Sequence, residues 1–380
     1  MHLLLTGICG FVGSTLAKAL IAEPWVSSIV GIDNFSRAGS ELNRLPLRDL
    51  GIRIIAGDIR CQSDIDSLPK CDYVIDAAAN PSVLAGVDGK TSSRQLIEHN
   101  LAGTINILEY CKRHQAGFVL LSTSRVYSIP GLANLKMKVV NDAFVPDPNQ
   151  QFPDGITVNG VSEAYSTHPP VSLYGSTKVT SEHLALEYGS TFDFPVWVNR
   201  CGVMAGAGQF GHPAQGIFAY WIHSFREGKP LKYIGFGGHG HQVRDCLHPR
   251  DLVPLLNSQL SALSPSPSAS RPSLPAPRPR LYNLSGGIAS SMSLAQLTAW
   301  CTQRYPNSPT INSLPSALSP SPSAHSSPSS RPFDIPWMVL DETHSTRSWD
   351  WHPETSAVQI LYEIAVFADQ NPDWLKECST

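Results

Sequence analysis

Two residues four positions apart, Tyr174 and Lys178 in Leu173-Tyr174-Gly175-Ser176-Thr177-Lys178, offer the clearest chemistry in the chain. On a helix that spacing sets both side chains on one face, one turn apart. A lysine ammonium near a phenol favours the phenolate and draws its pKa down from about 10, which makes a general acid/base for neutral pH. The same YxxxK spacing also arises by chance in many helices, so its meaning depends on its surroundings. A cluster of hydroxyls stands in Leu121-Ser122-Thr123-Ser124-Arg125-Val126-Tyr127. One of them could hydrogen-bond an alcohol undergoing oxidation, although Ser and Thr cap loops routinely.

Near the start, Thr6-Gly7-Ile8-Cys9-Gly10-Phe11-Val12-Gly13 follows an apolar run and precedes a helical pattern from Ser14 to Ala22. Gly7, Gly10 and Gly13 would allow a tight turn, close approach of backbone N–H groups to a pyrophosphate, and close packing of helix on strand. Asp33 lies 20 residues beyond Gly13, at the end of the next apolar run. A carboxylate there accepts hydrogen bonds from adenosine ribose hydroxyls and repels a 2′-phosphate, which predicts NAD and not NADP. Arg37 is the nearby cation that could answer a 2′-phosphate, though an exposed loop arginine is ordinary. Further on, Gly57-Asp58-Ile59 and Asp76-Ala77-Ala78-Ala79-Asn80 each follow an apolar run. Small residues there let a flat ligand lie against the backbone, as adenine and nicotinamide ribose require.

These groups need a scaffold, and the hydrophobic pattern supplies one. To about Arg200, short apolar runs alternate with longer amphipathic ones, as in strands joined by helical crossovers. Strands are predicted at His2 to Thr6, Ile29 to Asp33, Arg53 to Ile55, Tyr73 to Ala77, Phe118 to Ser122 and Val196 to Arg200. Helices are predicted at Phe11 to Ala22, Ser93 to His114 and Leu173 to Tyr188, and later at Pro213 to Glu227, Arg250 to Leu260 and Leu294 to Arg304. The expected fold is α/β, a Rossmann-type doubly wound parallel sheet over 1–200 that carries Thr123 and the Tyr174/Lys178 pair. A smaller mixed C-terminal substrate-binding lobe is expected over 201–380. Ser/Pro-rich tracts interrupt it at about 261–279 and 313–332, and both contain SALSPSPSA, at Ser261 to Ala269 and Ser316 to Ala324. Such composition predicts mobile surface loops, with docking of a proline-binding module as a lesser possibility.

The bulk properties narrow the partners. With 42% hydrophobic residues, 16% charged and a net charge of −3, the chain reads as globular and has no field suited to nucleic acid. Its eight cysteines form no CxxC pair, which fits reduced thiols in the cytoplasm. The apolar start lacks the preceding Lys or Arg of a signal peptide, and no run is suited to a bilayer, so no membrane partner is expected. His239, His241 and His248 lack an accompanying acid cluster, so no metal is expected.

TGICGFVG, Asp33, LSTSRVY and YGSTK resemble the extended short-chain dehydrogenase/reductases that epimerise or dehydrate nucleotide sugars. The resemblance implies Tyr174 as the base, Thr123 as its hydroxyl partner and Lys178 as a further catalytic residue on the nicotinamide ribose. For the cofactor, NAD, it implies Gly7, Gly10, Phe11, Val12, Gly13, Asp33, Asn34, Asp58, Ile59, Ala77, Ala78, Ala79, Asn100, Tyr174 and Lys178. Dehydratases of the family usually follow the Thr with Asp-Glu, whereas Ser124 and Arg125 stand here, which disfavours dehydration. Beyond Arg200, RCGVMAGAGQF, Gln215-Gly216 and GHGHQVRDCLH are similar to the CDP-tyvelose (CDP-paratose) 2-epimerases. That similarity implies a CDP-sugar partner bound by Ser82, Thr123, Cys201, Gln209, Gln215 and Arg244, with Arg244 on the phosphates, and a homo-oligomer. The roughly 45 residues between Tyr127 and Tyr174, including Gly160 to Tyr165, are long for a loop and are expected to lie over the sugar. The implied activity is epimerisation at C2 through a keto-sugar, with a dehydratase, a net dehydrogenase or a catalytically silent NAD-binding scaffold as rivals.

Overall fold

The computed structural model describes residues 1–87, 89, 91–212, 215–262, 280–306 and 333–378. The Ser/Pro tracts, apart from Ser261 and Ala262, lie outside the described residues, as do Pro213 and Ala214 of one expected helix.

Seven strands pair in parallel: β1 (His2–Thr6), β2 (Ser28–Asp33), β3 (Arg53–Ala56), β4 (Tyr73–Asp76), β5 (Gly117–Thr123), β6 (Val196–Cys201) and β7 (Leu281–Leu284). Their order is β7-β6-β5-β4-β1-β2-β3. Leu3, Leu4 and Leu5 are all fully buried because both faces of the sheet are covered by helices. Leu3 and Leu5 join a cluster with Leu16 and Leu20 of the helix Phe11–Leu20 and Leu256 of Leu252–Ser261. Leu4 faces the other way, into a cluster with Ile107 of Gly103–His114 and Ala185 of Leu173–Phe192. The chain winds outward from β1 to β3, then crosses to β4 on the other side of β1. Ligands of such sheets bind where this reversal opens a crevice at the carboxyl ends of the strands.

The doubly wound expectation holds, with β7 as a seventh strand drawn from beyond residue 200. Leu281-Tyr282-Asn283-Leu284 is short and follows a Ser/Pro tract, so periodicity gave it no signal. The expected helix Ser93 to His114 is interrupted by a π turn at Glu98–Ala102. The helix from Leu173 runs on to Phe192.

After β6, the helices Ile217–Arg226, Leu294–Arg304 and Ala357–Gln370 share a core around Phe218, Leu297 and Ile364. A small sheet pairs Val243–Asp245 with Ser291–Ser293 and Trp337–Met338. The long stretch after Tyr127 forms two hairpins, Met137–Val140 with Ala143–Pro146 and Ile156–Thr157 with Gly160–Val161. Its Val161 and Tyr165, expected over the sugar, are buried with Tyr127, Trp337 and Leu340, and Val161 N donates to Val339 O at 2.9 Å. Two apolar side chains in a segment read as a loop are thereby used as core. Among the described residues, no helix is long and apolar enough to cross a membrane.

Candidate active site

β1 runs into Gly7, whose φ of 61° is left-handed and whose hydrogen faces the next wall: a Cβ there would lie 2.8 Å from Ala78 Cα. A Cβ on Gly13 would come within 2.2 Å of Gly7 O, so helix and turn touch through glycine alone. Gly10 is the N-cap of Phe11–Leu20, with no side chain capping the first turn and no acid within it. Uncapped N–H groups, the positive end of the helix and a glycine surface together fit a dinucleotide's pyrophosphate. Phe11 is buried and Val12 half-buried behind this turn.

Asp33, at the end of β2, accepts Cys9 N and Phe35 N, each at 2.8 Å, while burial raises its pKa. Arg37 is turned to the protein: its Nη2 donates to Phe210 O at 3.1 Å and its guanidinium lies over the Phe210 ring. Asp58 is held well below the usual carboxylate range by Arg60, 2.6 Å away, and also accepts Asn34 Nδ2 at 3.0 Å. Ile59 fills the space a side chain at Gly103 would need. After β4, Ala77, Ala78 and Ala79 run along the crevice, with Ala78 N donating to Thr6 Oγ1 at 3.1 Å. Asn100, buried in the π turn, accepts Asn80 N at 2.7 Å and donates to Asn80 O at 3.0 Å and Thr177 Oγ1 at 3.2 Å. The residues expected around NAD from Gly7 to Asn100 therefore gather along the ends of β1 to β4 and the helices that follow, and Tyr174 and Lys178 stand beside β5.

The helix carrying Tyr174 and Lys178 starts at Ser172, whose side chain accepts Gly175 N at 3.1 Å. Gly175 lets it settle on β5's extension, since a Cβ would meet Arg125 O at 2.4 Å. Thr123, at the end of β5, stands beside the Tyr174 phenol and favours its ionised form. Lys178 Nζ donates to Leu121 O at 3.1 Å and is almost wholly buried. The expectation that Lys178 draws the phenol down is corrected by this arrangement. Burial pushes Tyr174 up to about 12, and the opposing influences are the Thr123 hydroxyl and the Arg125 charge. Burial also lowers the Lys178 pKa, against the pull of Asp76 and Glu182.

On the substrate side the expected residues are more scattered. Cys201 stands beside Thr123 in the sheet register, its thiol buried and pushed well up by desolvation. Ser82 N donates to Asn80 Oδ1 at 3.3 Å. Gln209 Nε2 donates to Met204 O at 2.7 Å, and Gln215 pairs with His212 through backbone bonds. Arg244 donates to Val243 O at 2.7 Å, Asp334 at 3.1 Å and Ile335 O at 3.0 Å. A small cavity nearby is lined by Ser124, Arg125, Tyr127, Ser172 and Phe333 among others, and not by Ser82, Cys201, Gln209, Gln215 or Arg244. His239 and His241 stack at 5.5 Å, and His248 lies 3.4 Å from Glu363. Among the described residues, no three or more His, Cys, Asp or Glu gather as a metal would require.

Two buried carboxylates beside the site escaped the sequence reading. Asp76 accepts Thr6 Oγ1 at 2.5 Å and Thr104 Oγ1 at 3.4 Å, tying β1 and β4 to the helix after the π turn. Glu182, one turn past Lys178, accepts Ser122 Oγ at 2.5 Å and a fork from Arg200, at 3.0 Å from Nε and 2.6 Å from Nη2. Arg200 continues to Tyr127 Oη at 3.2 Å, which donates to Asn283 Oδ1 at 2.7 Å. The available signal was a charged residue in the otherwise apolar run of β6, since arginine is seldom buried unpaired.

The model of the NAD dependent epimerase/dehydratase family matches residues 3–262. CDP-paratose 2-epimerase of Salmonella typhi is 28% identical, over 96% of this chain and 98% of its own. UDP-glucuronate 4-epimerase 4 of Arabidopsis thaliana is 27% identical, over 66% of this chain and 52% of its own. Among solved structures, UDP-glucose 4-epimerase from Thermotoga maritima, with UDP-glucose, superposes with a TM-score of 0.69 at 19% identity, covering 98% of this chain and 99% of that one. UDP-glucuronic acid 4-epimerase from Bacillus cereus, with UDP-glucuronic acid and NAD, gives 0.68 at 22% identity, covering 97% and 99%. At these identities the structural likeness speaks for the fold, and it is the fold described above.

Proposed function

The chain belongs to the NAD dependent epimerase/dehydratase family, and from that premise we propose that it inverts C2 of a CDP-linked hexose through a transient keto-sugar. The observation that carries this reading is the Tyr174 phenol beside the Thr123 hydroxyl at the carboxyl end of the sheet, with no carboxylate in the two positions after Thr123. The choice of CDP and C2 rests on the end-to-end correspondence with CDP-paratose 2-epimerase. In this reading residues 1–200 hold NAD and 201–380 most of the sugar nucleotide, with Arg244 on its phosphates. Eight free cysteines fit work in the cytoplasm.

The ionised Tyr174 removes the proton of the C2 hydroxyl, whose oxygen Thr123 holds by its own hydrogen bond. NAD, when bound, supplies the acceptor for the hydride leaving C2 and the donor that returns it. Asp33 takes the adenosine ribose, the turn from Gly7 to Gly13 takes the pyrophosphate, Lys178 holds the nicotinamide ribose, and Arg125 is the positive charge acting on the phenol. Tyr174 keeps the proton while the keto-sugar presents its other face, then gives it back to the same oxygen. Atoms and electrons balance, and no net oxidation results. Ser124 and Arg125 offer no acid to expel water, so the keto-sugar stays intact.

The test is an NMR assay of the purified protein, without added cofactor, against CDP-paratose and a panel of CDP-, UDP-, GDP- and dTDP-hexoses. A C2 epimer of a CDP-sugar is expected. A dehydrated sugar, accumulating NADH, or no product from any of them would overturn the reading.

A further inference from the structure

We infer that Arg125 is a substrate-binding residue, its guanidinium receiving an oxyanion of the nucleotide sugar close to the reacting carbon; this rests on the nucleotide-sugar reading above. Arg125 lies two residues past Thr123, and its carbonyl is pinned beneath Gly175 at the start of the helix that carries Tyr174. Its position relative to the reacting groups is thus fixed by backbone packing.

The side chain is poorly spent on the protein. A guanidinium has five N–H donors, and the contact made here among the described residues is one long bond, Nη1 to Phe333 O at 3.4 Å. Arg244 is differently placed, with three acceptors at 2.7 to 3.1 Å. The charges that act on Arg125 are those of Arg244, which repels it, and of Asp334 and Tyr174. Asp334 is shared between the two guanidiniums, whereas Asp245 acts on Arg244 and is not among the charges acting on Arg125. Desolvation and the neighbouring Arg244 push Arg125 down to about 10, in keeping with a cation that lacks its anion. Arg125 lines a cavity together with Ser124, Tyr127 and Ser172.

An arginine cannot serve as the proton acceptor a carboxylate could be at this position, so its use is in binding. Two groups of a nucleotide sugar offer the matching chemistry: the phosphate nearer the sugar, or a carboxylate on the sugar itself. Either makes charge-assisted bonds to a planar fork.

The experiment compares wild type with R125Q and R125K. It measures NAD content, the Kd of CDP and UDP by calorimetry, and KM for a neutral CDP-hexose and for a UDP-hexuronic acid. R125Q is expected to keep its NAD while losing about ten- to a hundredfold in affinity. A loss shared by the free nucleoside diphosphates assigns the oxyanion to phosphate, and a loss confined to the acidic sugar assigns it to a carboxylate. Unchanged Kd and KM in R125Q would overturn the inference and leave Arg125 as a brace for Phe333. If R125Q does not retain NAD, R125K decides: a partial loss supports a binding fork and no loss overturns it. The binding arm is read even if wild type turns over no sugar, which would defeat the proposed function and not this inference.

Discussion

Tyr174 is pulled two ways: burial holds its proton on, while a hydroxyl and a guanidinium favour taking it off. A phenol so placed is a good proton store, and its removal should stop chemistry without emptying the cofactor site. Tyr174→Phe is expected to lower turnover by about 10³-fold or more with NAD retained, as read by activity and by the NAD released on denaturation. Thr123→Val removes the hydroxyl that favours the phenolate, so the phenol pKa should rise and less base exist at any given pH. The acidic limb of the kcat profile should therefore move to higher pH than in wild type, and an unmoved limb would remove Thr123 from this role. The glycine turn, Asp33 and the Tyr174/Lys178 spacing could be read from the sequence because each depends on neighbours within a turn or a strand end. Asp76 and Glu182 could not, because their partners come from across the chain: Thr6 lies 70 residues from Asp76, and Ser122 lies 60 from Glu182.

Helices and strands were legible where burial was continuous, as in the leucines of β1, and illegible where geometry departed from a regular period. The π turn at Glu98–Ala102 keeps its apolar pattern nearly in phase, so only the structure reveals the extra residue that directs Asn100 to Asn80 and Thr177. The helix Leu173–Phe192 is anchored to β6 through Glu182 and Arg200, both buried. Breaking such a pair from one side strands a charge in a medium that cannot solvate it. Glu182→Leu should therefore destabilise the fold by about 3–5 kcal/mol, measured by denaturant melting. Glu182→Gln, which can still accept from Arg200, should cost less. Equal stability in Glu182→Leu and wild type would mean that the pair contributes nothing.

Across the whole molecule, stability in mild acid should depend on groups far from the site. His223 is buried, its Nδ1 has no partner among the described residues, and desolvation pushes it from 6.5 down to about 4. In the unfolded chain it protonates near 6.5, so between that pH and about 4 the unfolded state holds the extra proton and folding weakens as pH falls. Its full contribution is present above pH 6.5, and its loss across the window is at most about 3 kcal/mol. His223→Gln should flatten the pH dependence of the denaturant midpoint over that interval, and an unchanged slope would count against it. The placing of β7 has a consequence for biosynthesis. All six residues of β6 are buried, and its outer edge is paired by β7, which begins at Leu281 after the first Ser/Pro tract. A nascent chain that has cleared the ribosome only to residue 262 already contains every group proposed to hold NAD, yet it presents β6 as an open edge to any other strand it meets. Completion of the sheet waits on translation of the tract, and until then the open edge of β6 is a place for mispairing.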